Sequence, residues 1–226
     1  MCVTEILKTS IGKKQVVATT GLLLIIFVIG HLAGNLLIFL GPDVFNAYAK
    51  KLASLRPGLY LIEIALTAVF LIHIWVTALL VLQNIKARPV LYEKYADQGN
   101  RSLATRLMPY TGTLLFAFII WHLMDFTFID KHGPRSVLPD GVSYGLYGVV
   151  LNSFSNSFNS AFYITAMASL GFHLAHGVGS FMQTFGFNHP KFTPLINRIS
   201  VFLGVLVAVG FSSIPLFALY KIQTYY

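Results

Sequence analysis

The stretch GFHLAHGVGSFMQTFG, residues 171–186, lies in a long apolar run and carries two histidines three residues apart, His173 and His176. Side chains three and four apart share one helix face, so Gly177 falls one turn from His173 on the same side. A histidine in an apolar span is costly without a partner, which makes it a functional position by default. The small residue leaves room beside the imidazole for something flat and bulky. His173 therefore reads as a ligand to a haem iron. Three further apolar runs each hold one histidine near mid-depth: His31, His73 and His122.

Composition sets the class. Of 226 residues, 56% are hydrophobic and only 11% are charged, too apolar for an ordinary soluble domain and right for a polytopic membrane protein. The formal net charge is +8. In a soluble protein that would suggest nucleic acid. Here Lys and Arg cluster between the apolar runs, where they set orientation, and no nucleic-acid partner is expected. The lone Cys2 offers no pair for an internal disulfide, an iron–sulfur cluster or a covalent c-type haem, so a cofactor must be held by histidine. No cleaved signal peptide is evident, and the first apolar run reads as a mature span.

The chain reads as a single all-α transmembrane domain over residues 1–226, a five-helix bundle with spans at about 17–40, 59–85, 109–128, 158–185 and 199–220. Each is long enough to cross a hydrocarbon core of about 30 Å. Residues 1–16 read as a short amphipathic helix on the membrane surface. Gly41-Pro42-Asp43 ends the first span, and Pro109 is expected in the first turn of the third. The connector 129–157, rich in Gly, Ser, Asn and Pro, is expected to fold over one mouth of the bundle as a lid or short helix. No residue-level repeat and no soluble domain stand out.

Orientation follows from counting. With the N-terminus cytoplasmic, inside segments hold ten basic residues (Lys8, Lys13, Lys14, Lys86, Arg88, Lys94, Arg101, Arg106, Lys191, Arg198) and outside segments six (Lys50, Lys51, Arg56, Lys131, Arg135, Lys221). That favours N-in and C-out. Alternate spans run in opposite directions, so position along a span gives depth. His31 and His122 then fall in the outer half, His73 and His173 in the inner half. A six-coordinate haem takes two axial ligands from facing helices. The expectation is an outer haem b between His31 and His122 and an inner haem b between His73 and His173. Such haems have no open site for oxygen and pass electrons.

Each residue also has a plainer reading. One histidine in a span can simply bond a backbone carbonyl or a serine, but four falling into two depth classes point to paired ligation. His176 is a rival ligand, or bonds a haem propionate, a quinone or a loop carbonyl. Glu63 is an interfacial carboxylate, or a proton acceptor for a quinone head group near the outer haem. Asp125 could share that task or pair with a base in the outer loop. Lys13, Lys14, Arg101 and Arg106 read as positive-inside residues, a subset of which, Lys13 and Arg106 foremost, could meet propionates of the inner haem. His132 and His189 read as solvated loop residues, and the Phe and Tyr content as ordinary for a bundle.

Several stretches carry a resemblance. They are SIGKKQVVATTG (10–21), HLAGNL (31–36), the segment from Glu63 to His73, KARPVLY (86–92), SLATRLMPYTG (102–112), Trp121-His122, GFHLAHGVGSFMQTFG (171–186), NHPKFTPLI (188–196) and FSSIP (211–215). With these the chain resembles, almost end to end, the di-haem cytochrome b558-type membrane subunit of succinate:quinone oxidoreductases, meaning succinate dehydrogenase or fumarate reductase. The resemblance implies five helices and haem-iron ligation by His31, His73, His122 and His173, with the spacing to Gly186 favouring His173 over His176. It further implies a flavoprotein subunit with FAD and an iron–sulfur subunit on the cytoplasmic side, menaquinone as the quinone, a bacterial cytoplasmic (inner) membrane, and room for a dimer of the complex. One departure is clear. Some relatives carry an acid on span four beside the inner ligand, whereas this chain has Gly171 and Phe172, so that proton route is not carried over. The rival readings are another di-haem b oxidoreductase subunit, a haem-free transporter or proton relay, and a purely structural anchor. A transporter of the broken-helix kind predicts paired Gly or Pro interruptions, and only Pro215 interrupts a span.

Overall fold

A computed structural model describes residues 8–87 and 103–224, with the side chains of 103–106 outside the description. Seven α-helices carry the described chain: α1 (Ser10–Leu36), α2 (Pro42–Ala53), α3 (Gly58–Lys86), α4 (Leu103–Phe126), α5 (Gly145–Ser155), α6 (Ser157–Thr184) and α7 (Thr193–Gln223). Among the described residues the extended pairing is one isolated bridge, Val137 with Ser143.

Four segments are long and apolar enough to cross a membrane: Ser10–Leu40, Gly58–Lys86, Leu107–Phe126 and Thr193–Gln223. The sequence expectation was five. Helix α6 has the length, 28 residues, or about 42 Å at the α-helical rise. It is less apolar because Asn159, Ser160, Tyr163, His173 and His176 lie along it. Asn159, Ser160 and Tyr163 are buried, so the face that carries them meets protein. The chain is consistent with a multi-pass membrane protein, and α3 turns Leu61, Ile62, Ile64, Leu71, Trp75 and Ile85 outward.

Three boundaries differ from expectation. Residues 10–16 do not form a separate surface helix but run continuously into the first span. Thr9 caps this helix, its hydroxyl accepting from the Gly12 amide at 3.0 Å. Lys13, only 6% exposed, is absorbed by donating to Gln83 Oε1 of α3 at 3.0 Å. Pro109 lies inside α4 rather than in its first turn, because the helix begins six residues earlier, at Leu103, in a stretch where Leu, Ala, Arg and Met favour helix. Both connectors at the far end are helical. Gly41, at φ 95°, breaks the chain after a short 3₁₀ turn, and Pro42 starts α2. Asn46 of α2 then bonds the start of α5, donating to the Tyr144 carbonyl at 2.8 Å and accepting from the Tyr147 amide at 3.1 Å. The 129–157 connector thus carries a short helix, α5, and packs into the core at this connector end, where Ile38, Phe45, Leu138, Leu151, Phe154 and Met167 are buried together.

Helix α6 is the hub, packing against α7, α4, α1 and α5, while α3 packs on α1. Helices α6 and α7 approach closely. A methyl group on Gly171 would lie 2.8 Å from the Gly204 carbonyl oxygen and 2.9 Å from Ala208 Cβ. Small residues here let two backbones touch, the usual way that membrane helices gain packing energy without a hydrophobic drive. At the opposite, basic end Gly186, at φ 87°, turns the chain out of α6 toward α7.

Candidate functional site: two histidine pairs at two levels

The four mid-span histidines meet as two pairs. Toward the connector end, His31 of α1 and His122 of α4 stand with ring centroids 5.8 Å apart. Toward the basic end, His73 of α3 faces Thr20 of α1, and His173 of α6 faces Thr111 of α4. His176 neighbours His173 on the same helix face.

The upper pair sits in an aromatic box. Phe27 stacks on His31 at 5.3 Å and Phe211 lies 5.8 Å from it; Phe118 stacks on His122 at 5.6 Å and Phe126 lies 5.4 Å from it. Tyr163 closes the box, its hydroxyl 3.5 Å from His122 Nδ1. Tyr163 also donates to Asp125 Oδ2 at 3.2 Å. Asp125 pairs with Arg135 of the connector at 2.7 Å and accepts from Ser153 at 2.6 Å and Asn159 at 3.0 Å. Of the two sequence readings of Asp125, the structure has the pairing with a loop base, Arg135.

The lower pair is held differently. Thr20 Oγ1 lies 3.0 Å from His73 Nδ1, and Thr111 Oγ1 lies 3.2 Å from His173 Nδ1. Each threonine is followed by a glycine against the same imidazole. A Cβ on Gly21 would lie 3.3 Å from His73 Cε1, and one on Gly112 3.6 Å from His173 Cε1. Gly177 has open space where its Cβ would be.

This arrangement exposes an internal repeat that the sequence reading missed. TGLLLIIFVIGH (20–31) and TGTLLFAFIIWH (111–122) share a Thr-Gly pair and a histidine eleven positions after the threonine. Eleven residues make about three helical turns and about 16.5 Å of rise. So α1 and α4 each present, on roughly one face, a histidine of one pair and a hydroxyl against a histidine of the other. Aligning the two segments on their histidines would have found it.

The donor sets suit a planar macrocycle. Each pair offers two imidazoles from two different helices, which could hold a haem through its iron. The glycines and the aromatic box are the small and flat neighbours that such a group needs.

The remaining candidates are less central. Glu63 is 50% exposed on that residue's side chain and pairs with Arg56 at 3.1 Å. It lines a shallow groove of about 370 Å³ with Tyr60, Ile64, Thr67, Ala68 and Leu71. Lys13 is engaged by Gln83. Arg106 lies in the first turn of α4, its side chain outside the described residues, as are Arg88, Lys94 and Arg101 altogether. No protein-family model matches the chain. Neither a curated protein nor a solved structure matches it.

Proposed function

We propose that the chain is a membrane-embedded electron carrier that binds two b-type haems, each between two histidines. More particularly, we propose the di-haem membrane subunit of a succinate:quinone oxidoreductase, the anchor of a succinate dehydrogenase or quinol:fumarate reductase in a bacterial cytoplasmic membrane. The observation that carries the first step is the meeting of four span histidines as two pairs at two levels, with small and aromatic side chains beside them. The second step rests on the sequence stretches quoted above.

When bound, haem supplies reversible one-electron chemistry. His31 with His122, and His73 with His173, are the axial ligands in this reading. The protein orients the imidazoles, keeps water out with Phe27, Phe118, Phe126 and Phe211, and sets the two sites at different depths along α1 and α4. All five long helices span the membrane, α6 as the central span whose polar face meets the cofactors. The N-terminus is cytoplasmic. The basic end, with Lys86, receives the iron–sulfur subunit, beyond which lies the FAD-bearing flavoprotein. Lys13 and Arg106 on that side, and His176, are the propionate contacts of the reading, and a dimer of the complex is compatible with it. Menaquinone reacts near the connector end, where the groove beside Glu63 offers apolar walls and a carboxylate.

Single substitutions test the assignment. His31→Ala or His122→Ala should remove one haem signal, His73→Ala or His173→Ala the other, with His176→Ala retaining both. Loss of both signals from each ligand variant, or of neither, would overturn the pairing.

A further inference from the structure

The hydroxyls facing the lower pair have already committed their protons. Thr20 Oγ1 is 2.7 Å from the Val16 carbonyl and 3.1 Å from that of Val17, both in its own helix. Thr111 Oγ1 is 3.1 Å from the Leu107 carbonyl and 3.2 Å from that of Met108. A hydroxyl has one proton and two lone pairs, and a threonine in a helix spends the proton on the carbonyl a turn back. What it presents to an imidazole is therefore a lone pair. In both contacts the donor must be the histidine, through Nδ1–H. In a neutral imidazole the other nitrogen, Nε2, is then unprotonated.

We infer that Thr20 and Thr111 are positioning residues that hold His73 and His173 as their Nδ1–H tautomers, so that the Nε2 atoms of both are the ligating atoms of one metal centre. This rests on the haem reading above. A hydrogen bond from the far nitrogen of a ligating imidazole raises its basicity and fixes its rotation, and loss of such a partner weakens metal binding by about 10- to 100-fold. The threonines act on one centre only. The upper pair is served by other groups: Asn35 Nδ2 lies 3.4 Å from both ring nitrogens of His31 and donates to its carbonyl at 2.8 Å, and Tyr163 stands at His122. The repeat thus places on α1 and α4 both a ligand for the upper centre and a tautomer-setting hydroxyl for the lower one.

The test uses the full chain purified with its haem. Thr20→Val and Thr111→Val keep the side-chain shape and remove the acceptor; Thr20→Ser and Thr111→Ser keep it. Redox titration followed optically, with EPR of the oxidised low-spin haems, reads each centre separately. In each valine variant the midpoint potential of the lower haem should rise, because its ligand donates less to the oxidised iron. Its retention against a haem scavenger should fall about 10- to 100-fold, and its g values should shift. The upper haem should be unmoved, and serine should restore the wild-type values. If a valine variant does not fold, alanine at the same position carries the test. Two haems with unchanged potentials and g values in the valine or alanine variants would overturn the inference alone, as would equal shifts in both haems. A wild-type chain that binds no haem would overturn the proposed function and the inference with it.

Discussion

Asp125→Ala should loosen the connector without melting the bundle. Asp125 is 12% exposed on its side chain and accepts from Arg135, Ser153, Asn159 and Tyr163 at 2.6–3.2 Å. Hydrogen bonds to a charged group contribute about 1.5–3 kcal/mol each, but simple addition overstates the loss here. Arg135, with a side chain 40% exposed, can return to water. Asn159 keeps the Ser153 carbonyl at 3.1 Å and Ser153 Oγ at 2.7 Å, and Tyr163 keeps His122. Asn152 still donates to the carbonyls of Arg135 and Val137. A net loss of about 2–4 kcal/mol is expected, within the range of broken buried networks. It should appear as local opening of the connector. Hydrogen exchange in detergent reads this directly. The Leu138 amide, bonded to the Val142 carbonyl, and the Tyr144 amide, bonded to the Ser136 carbonyl, are the probes. Their protection should fall about 30- to 1,000-fold, at roughly 1.4 kcal/mol per factor of ten, while amides around Val207 in α7 hold. Protection at Leu138 and Tyr144 within about threefold of wild type would refute the reasoning, as would an equal loss throughout α7.

Other consequences follow from single contacts. Gly21→Val places atoms where His73 Cε1 stands 3.3 Å from the first added carbon, and should expel the lower haem, whereas Gly30→Ala meets nothing within 4 Å and should retain both; haem content by spectrum distinguishes them. Gly204→Val drives a side chain into the Gly171 carbonyl and Ala175, and should cost about 1–3 kcal/mol by overpacking, read as a lower thermal midpoint in detergent. Glu63→Gln breaks an exposed pair with Arg56, so stability should change by less than about 1 kcal/mol. Its effect should appear instead as slower haem reduction by a menaquinol analogue, with both haem spectra intact.

The levels of the four histidines were legible because long apolar runs fix direction and direction fixes depth. In the structure the rings of His31 and His122 stand 5.8 Å apart, and Thr20 and Thr111 face His73 and His173. What escaped was set by partners from other helices. Lys13 reads as a surface cation until Gln83, seventy residues away, is seen to take its proton donor. Thr20 and Thr111 look like ordinary helix threonines bonded to their own backbone, and only the fold brings an imidazole to each. Tyr163 was lost among the abundant aromatics, though it links His122 to Asp125. Helix α6 shows the limit of hydropathy: Asn159 and Ser160 are buried in it and His173 and His176 lie along it, so composition marks it less clearly than the four apolar helices. The connector's helices were hard to place for the opposite reason, since their order depends on distant bonds such as Asn46 to Tyr144 and Tyr147.

The central claim is that these histidine pairs ligate two haems. A dithionite-reduced minus oxidised spectrum of the purified chain, with haem quantified as the pyridine haemochrome, tests it most directly. Two b haems per chain is the predicted result. A colourless chain that is properly folded would contradict it and return the four histidines to packing or a proton relay.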